Sequence, residues 1–286
     1  MPLAVSRHAF PTASIARGIE ALSDDVRESM ENLEESPHTF NITLGTALMT
    51  ARARLALNPR GNELETWEAF VSAMQVASAL FTSATATQGT VHCRIADEMR
   101  TIPATGPQHY ADAGNWITAF WLALICREQD RMTQLCNVPI SLLRASGAVY
   151  DEYVYAWVDT LQTFWLEGPD LGDKLIAAMD GTATEALQVA SSELVLNILY
   201  PPINLFYWFL RQDHEGFNTE LAKALQWHKE YWTDDEERTT ETEGLVALGP
   251  LAIASLAYDN GFPIEVESEY LPKSLLNRGW LGEFDT

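Results

Sequence analysis

The chain has 286 residues, of which 18 are basic and 40 are acidic, so its formal net charge is -22, and 47% of its residues are hydrophobic. This apolar content excludes a disordered chain. The negative charge repels phosphate backbones and anionic lipid headgroups, so neither nucleic acid nor a membrane is an expected partner. The length fits one large domain or two helical halves that share an interface.

The first part of the chain predicts helices that are separated by turns. Residues 1–12 are predicted to form a loose arm, and a helix begins at Ala13. Ser23, Asp24 and Asp25 are expected to cap a second short turn, and the next helix spans Phe40 to Leu57. Asn62, with a glutamate three residues later, has the spacing of a capping box and predicts another helix start.

Residues 89–103 differ from the helical pattern around them. Val91, Cys93 and Ile95 alternate with polar residues, and an extended pattern resumes before Pro103. This alternation predicts a small β-hairpin or an extended excursion within a helical protein.

Two later segments have the strongest helical periodicity. Their apolar stripes comprise Trp116, Ile117, Phe120, Trp121 and Leu124 in the first, and Tyr150, Tyr153, Val154, Trp157, Val158, Leu161 and Trp165 in the second. Stripes of this kind are typical of core faces. The alternative interpretation is a ligand-binding groove lined by aromatic side chains.

The segment 194–210 is apolar over about the length at which membrane-spanning helices begin. It contains Asn197, Pro201, Pro202 and Asn204. Two adjacent prolines interrupt the hydrogen bonds of a helix, and two amides would lie at bilayer depth. We therefore expect a helix, a break and a second helix in the protein core.

Taken together, the segments predict a mainly all-α protein. The architecture is an irregular multi-helix bundle or a loosely solenoidal stack of helix pairs, with one extended excursion. We expect a single helical domain over residues 1–286, and two sub-bundles, about 13–168 and 169–286, are the alternative. The N-terminus lacks the apolar core of a secretory signal and the three cysteines form no CxxC pair, so a reduced cytoplasmic protein is expected.

No short motif for a common catalytic, phosphate-binding or metal site occurs in the sequence. His92 and Cys93 are adjacent in an extended segment, so their side chains point to opposite faces and cannot form a catalytic pair. His228 lies on the apolar face of its helix and is expected to be a hydrogen-bonded core residue. We therefore predict no catalytic residue, cofactor or metal, although scattered residues can still build an active site.

Two acidic segments are candidates for binding a partner protein. The first, the acidic run, follows the apolar anchor Trp232 and contains Asp234, Asp235, Glu236, Glu237, Glu241 and Glu243. The second, the glutamate strip, consists of Glu265, Glu267 and Glu269, which alternate along an extended segment. Both also fit a solvated surface, and charges on an exposed edge prevent aggregation. In an interface, these carboxylates would pair with Lys or Arg of a basic partner.

The segment from Phe217 to Pro272 is the most informative in the chain. It reads FNTELAKALQWHKEYW, an acidic break, LVALGPLAIASLAYDNG and IEVESEYLP. This order of a helix, a glycine, an apolar Leu-Gly-Pro helix and a Tyr-Leu-Pro element resembles the C-terminal half of the Imm49 family, bacterial immunity proteins of polymorphic toxin systems. The resemblance covers the last third to half of the chain. It implies an all-helical antidote that binds a toxin.

Three functional hypotheses follow. The leading one is an immunity protein that neutralises a cognate, basic toxin by stoichiometric occlusion, without catalysis. The second is an all-helical enzyme or binding protein that acts on a hydrophobic small molecule in a pocket lined by Trp116, Trp121, Trp157 or Trp165. The third is a helical scaffold with no relation to a toxin. The sequence does not fix the oligomeric state.

Overall fold

Helices make up most of the chain, as the sequence predicts. The computed structural model describes residues 3–282. Its helices up to residue 145 are α1 (Thr12–Glu31), α2 (Phe40–Leu57), α3 (Leu64–Thr85), α4 (Ala113–Cys126), α5 (Gln129–Cys136) and α6 (Ile140–Ala145). Those that follow are α7 (Glu152–Trp165), α8 (Leu171–Asp180), α9 (Ser192–Leu194), α10 (Tyr200–Leu210), α11 (His214–Trp232), α12 (Glu236–Thr239), α13 (Leu248–Asp259) and α14 (Lys273–Leu276). The prediction of a mainly all-α fold is confirmed.

Among residues 3–282, four short strands form two separate two-stranded sheets. The strands are β1 (Leu3–Ala4), β2 (Thr90–Ile95), β3 (Glu98–Pro103) and β4 (Val266–Glu267). Strands β2 and β3 pair antiparallel, with Cys93 opposite Arg100, so the predicted hairpin is confirmed. Strands β1 and β4 pair parallel, with Leu3 opposite Val266.

The centre of the fold is built from α3, α4 and α13. Helix α3 packs against α2 and α4, and α13 packs against α4 and α10. The buried residues of α13 include Ala252, Ala254 and Ala257. Such small side chains allow helices to approach closely. Buried apolar side chains form one cluster from Val26 in α1 to Leu276 in α14. Whether the chain divides into two sub-bundles stays a prediction.

The N-terminal arm is held in place, contrary to the expectation of a loose segment. Besides the pairing of β1 with β4, the Arg7 guanidinium donates to the Leu55 carbonyl at 3.0 Å. The backbone N–H of His8 donates to the Tyr270 hydroxyl at 3.1 Å. These partners lie far away in the sequence, so local patterns gave no sign of them.

Two expected helix boundaries are also wrong. Helix α1 continues through Ser23, Asp24 and Asp25, and the Ser23 hydroxyl donates to the carbonyl of Ile19 within the same helix. Asn62 does not cap α3. Instead, the Asn58 amide oxygen accepts from the backbone N–H of Glu63 at 3.2 Å.

The segment 192–210 stays helical across its two prolines, so the expected break is wrong. Residues Val195–Leu199 form one π-helical turn, here called the π-turn, and α10 follows directly with Pro201 and Pro202 in its first turn. Proline has no N–H to donate, and a π-helical insertion changes the hydrogen-bond spacing at such a site. Among residues 3–282, no helix has both the length and the apolar character that crossing a bilayer requires.

A buried carboxylate fixes the loop that leads into the π-turn. Asp151, only 6% exposed, accepts hydrogen bonds from the backbone N–H groups of Gln188, Val189 and Ala190 at 2.6, 3.0 and 2.9 Å. Burial alone would raise the pKa of Asp151, but these three donors stabilise the carboxylate and lower its pKa below the ordinary value.

We predict that Asp151→Asn destabilises the protein by roughly 1–3 kcal/mol, because one carboxylate acceptor becomes an amide donor facing a backbone N–H. Urea unfolding at pH 7 measures the loss. Asp159→Asn, in the helix α7 that begins directly after Asp151, is the control: it removes only the partly exposed ion pair with Lys174, which should change the free energy of unfolding by less than about 1 kcal/mol. Equal losses in both variants would contradict the anchoring role of Asp151.

Candidate functional site

A cleft of about 610 Å³ is lined by residues between Asn41 and Pro250. Its walls come from α2, the first turns of α4, α7, the π-turn, α11 and the segment 243–250. Contributions from so many separate elements explain why no local sequence pattern identified the cleft.

Aromatic side chains form one side of the cleft. Trp121 of α4 and Trp157 of α7 both line it, with their ring centroids 6.1 Å apart. Trp116 does not belong to this wall: it is fully buried, and its indole N–H donates to the Leu135 carbonyl. Trp165 also lies elsewhere and donates to the Thr133 hydroxyl. Two of the four tryptophans named in the pocket hypothesis therefore line the cleft.

Polar side chains also line the cleft. The Asp112 carboxylate caps α4 by accepting from the Asn115 N–H at 2.9 Å, and it also accepts from the Tyr150 hydroxyl at 3.0 Å. Burial, with the adjacent Asp112 charge, raises the pKa of Tyr150. Arg52 of α2 forms an ion pair with Glu243 at 2.5 Å. No motif or periodic pattern in the sequence identified Arg52 or Asp112 as site residues.

His228 is a hydrogen-bonded core residue, as predicted. Its Nε2 donates to the Gly244 carbonyl at 3.1 Å, and its ring packs edge-on against Tyr270. Burial lowers the pKa of His228 to about 4, because the surroundings disfavour the charged ring. His228 is therefore neutral at pH 7 and holds α11 against the segment 243–250.

Part of the acidic run lines the cleft and the rest is exposed. Trp232 and Glu243 line the cleft, and the role of Trp232 as an apolar anchor for a partner stays a prediction. Asp234, Asp235, Glu236, Glu237 and Glu241 are exposed. Asp235 also caps α12 by accepting from the Arg238 N–H at 2.8 Å. The exposed carboxylates therefore begin beside the cleft and point to solvent.

The glutamate strip lies beside the N-terminal arm. Glu265, Glu267 and Glu269 are exposed, whereas Val266 between them is buried. Glu269 lies 3.9 Å from the Arg7 guanidinium, and Lys229 of α11 donates to the Ser6 hydroxyl. The arm thus packs beside both the strip and α11. Within the described part of the chain, no three His, Cys, Asp or Glu side chains are placed to hold a metal ion.

The family model for immunity protein 49, Imm49, matches residues 58–275. This chain belongs to the Imm49 family. No curated protein and no solved structure matches the chain. The Imm49 match covers both acidic segments and every wall of the cleft except the part contributed by α2, which includes Asn41 and Arg52.

Gly244 sets the spacing between two walls in this Imm49 chain. A Cβ atom at this position would lie 2.9 Å from Trp232 Cγ and 3.1 Å from His8 Cε1. We predict that Gly244→Ala destabilises the protein by roughly 1–3 kcal/mol through overpacking. Thermal and urea unfolding measure the change.

Gly18→Ala is the matched control for this substitution. Gly18 lies inside α1, and a Cβ atom there would have no neighbour within 4 Å. The added methyl group should stabilise the protein by about 0.5–1 kcal/mol because alanine favours the helix. A Gly244→Ala variant as stable as the wild type would show that Trp232 and His8 can move apart freely.

The buried His228 predicts a pH-dependent stability. The unfolded chain binds a proton at His228 below about pH 6.5, while the folded chain binds it only near pH 4, so the free energy of unfolding falls as the pH drops through this window. The contribution of His228 at pH 7 is on the order of 3 kcal/mol relative to pH 4. His228→Gln keeps a donor for Gly244 and should show a shallower loss between pH 6.5 and pH 4.5 in urea unfolding. An identical slope in both proteins would contradict a depressed pKa.

Proposed function

We propose that this chain is an immunity protein that binds one bacterial toxin and neutralises it by stoichiometric occlusion. The observation that carries the proposal is the Imm49 match over residues 58–275. The formal net charge of -22 supports a basic toxin, because opposite charges accelerate association. Three free, buried cysteines are in keeping with action in the cytoplasm.

Occlusion requires shape and charge, not reactive groups. A protein interface of standard size covers about 800 Å² on each partner, and a few buried anchors supply most of its binding energy. The exposed carboxylates of the acidic run offer a patch of one charge sign beside a cleft with apolar walls. A basic surface of a toxin would meet both features together.

Co-expression with the cognate toxin tests the proposal. The chain should restore growth and should co-purify with the toxin in a fixed stoichiometry. Because the opposed charges are screened by salt, the association rate should fall as the ionic strength rises. A chain that neither rescues growth nor binds the toxin would refute the proposal.

We predict that reversing three charges of the acidic run weakens protection. The triple variant Asp234→Lys, Glu236→Lys, Glu237→Lys spares Asp235 because that residue caps α12. Loss of attraction and new repulsion should weaken toxin binding about tenfold or more, with the larger part in the association rate. Stopped-flow or biosensor kinetics at low and high salt measure the effect.

The control variant reverses the exposed Asp25, Glu28 and Glu31 on α1, so it carries the same formal net charge. It should bind nearly as well as the wild type. Equal weakening by both triple variants would mean that total charge, and not the acidic run, determines binding. If the first variant binds the toxin as tightly as the wild type, the acidic run is not part of the interface.

A second candidate function is the binding of a hydrophobic small molecule in the cleft. Its volume of about 610 Å³ and the presence of Trp121 and Trp157 in its wall favour this possibility, since ligand pockets commonly have such size and lining. Native mass spectrometry of the purified chain would reveal a retained ligand. Turnover or ligand binding that is lost on substitution of Trp157 would support it.

A further inference from the structure

Several apolar side chains that line the cleft are not buried in the core but remain partly exposed. The π-turn contributes Ile198 and Leu199, α4 contributes Ile117, and α13 contributes Leu248 to the walls. Leu199 is 36% exposed. Exposed apolar side chains that line a cleft commonly mark an interaction surface.

The acidic run lies directly beside this apolar wall. Arg238, which belongs to α12 within the run, pairs with Glu193 of α9 at 2.6 Å. Glu193 stands two residues before the π-turn begins. The Arg238 guanidinium also lies over the Tyr231 ring at 4.2 Å, which fixes α12 against the end of α11. These contacts place the carboxylates and the apolar side chains on one continuous surface.

The charges inside the cleft are already satisfied, whereas those outside it are free to bind a partner. Arg52 is paired with Glu243, and Asp112 is occupied by its helix cap and by Tyr150. Asp234, Glu236, Glu237 and Glu241 remain exposed next to the cleft. An occupant that matches this surface is therefore apolar where it enters the cleft and positively charged around that point.

Two buried polar groups in the wall also lack a partner. Tyr153, only 3% exposed, and the half-buried Trp232 both line the cleft. Neither the Tyr153 hydroxyl nor the Trp232 indole N–H has a hydrogen-bond partner among residues 3–282. A buried donor without an acceptor destabilises the free protein, and a partner carbonyl would satisfy it only if the wall opens on binding.

We propose that the cleft and the π-turn receive a toxin segment that inserts one large apolar side chain and is flanked by Lys or Arg residues, which pair with the acidic run. This inference rests on the proposed function and assigns its docking site. A polypeptide fits better than a free small molecule, because the complementary surface continues from the cleft over the exposed carboxylates. The apolar anchor provides the affinity and the charges orient the approach.

Paired substitutions at Leu199 test the proposal. The probe is the toxin domain that the chain neutralises in the co-expression test, inactivated at its own active site. Leu199→Glu and Leu199→Lys both remove the apolar contact, while only the lysine adds repulsion toward a basic segment. We expect the dissociation constant to rise about tenfold for the glutamate variant, and further for the lysine variant. Calorimetry or a biosensor measures both.

Met99 supplies the matched controls. It is 63% exposed in β3 and does not line the cleft. Met99→Glu and Met99→Lys should change the dissociation constant by less than about twofold, as expected away from the interface. Leu199→Ala serves as the test if a charged variant unfolds, because alanine introduces no charge and favours a helix. This variant should weaken toxin binding several-fold.

The outcomes separate this inference from the proposed function. If the wild-type chain binds the toxin and all three Leu199 variants bind equally well, the docking site is wrong while the antidote function stands. Equal weakening by the Met99 variants also overturns the site. If the purified chain retains a small molecule that Leu199→Lys expels without any change in toxin affinity, the cleft belongs to that ligand. A wild-type chain that does not bind the toxin overturns both proposals.

Discussion

Residues 244–250 can approach α10 and α11 closely because two of them, Gly244 and Gly249, are glycines. A Cβ atom at Gly244 would lie 2.9 Å from Trp232, and one at Gly249 would lie 2.5 Å from Pro202. These contacts bring the Gly244 carbonyl to His228 and the start of α13 to α10. They determine the distance between the cleft walls. The Leu-Gly-Pro element that carried the family resemblance therefore has a packing role, which explains why a pattern without reactive groups can identify a family.

Elements specified by neighbouring residues could be predicted from the sequence. Helix α2 has the predicted bounds, because its apolar residues and the Asn-Pro pair after it are local signals. The hairpin followed from alternation within residues 89–103. The pairing of β1 with β4 could not be predicted, since its two strands lie at opposite ends of the chain. The π-turn was missed because two prolines normally end a helix, and only tertiary packing keeps this segment helical.

The candidate site was visible in the sequence only as separate parts. The acidic run and the aromatic stripes supported two competing hypotheses, toxin binding and small-molecule binding. In the structure, Trp121 and Trp157 line the same cleft as Trp232 and Glu243. The Arg238–Glu193 ion pair joins segments 45 residues apart. No pattern in the sequence predicts that proximity, because it arises from the packing of α9, α11 and α12. The two features can therefore serve one interface.

Hydrogen exchange of the chain, alone and in complex with the inactivated toxin domain, tests the central claim most directly. If the toxin docks over the acidic run and the cleft, backbone amides of the π-turn and of residues 233–243 should exchange more slowly in the complex. Amides of α1 and of the β2–β3 hairpin should exchange at unchanged rates. Slower exchange confined to α1 or the hairpin, with none at the π-turn, would contradict the account.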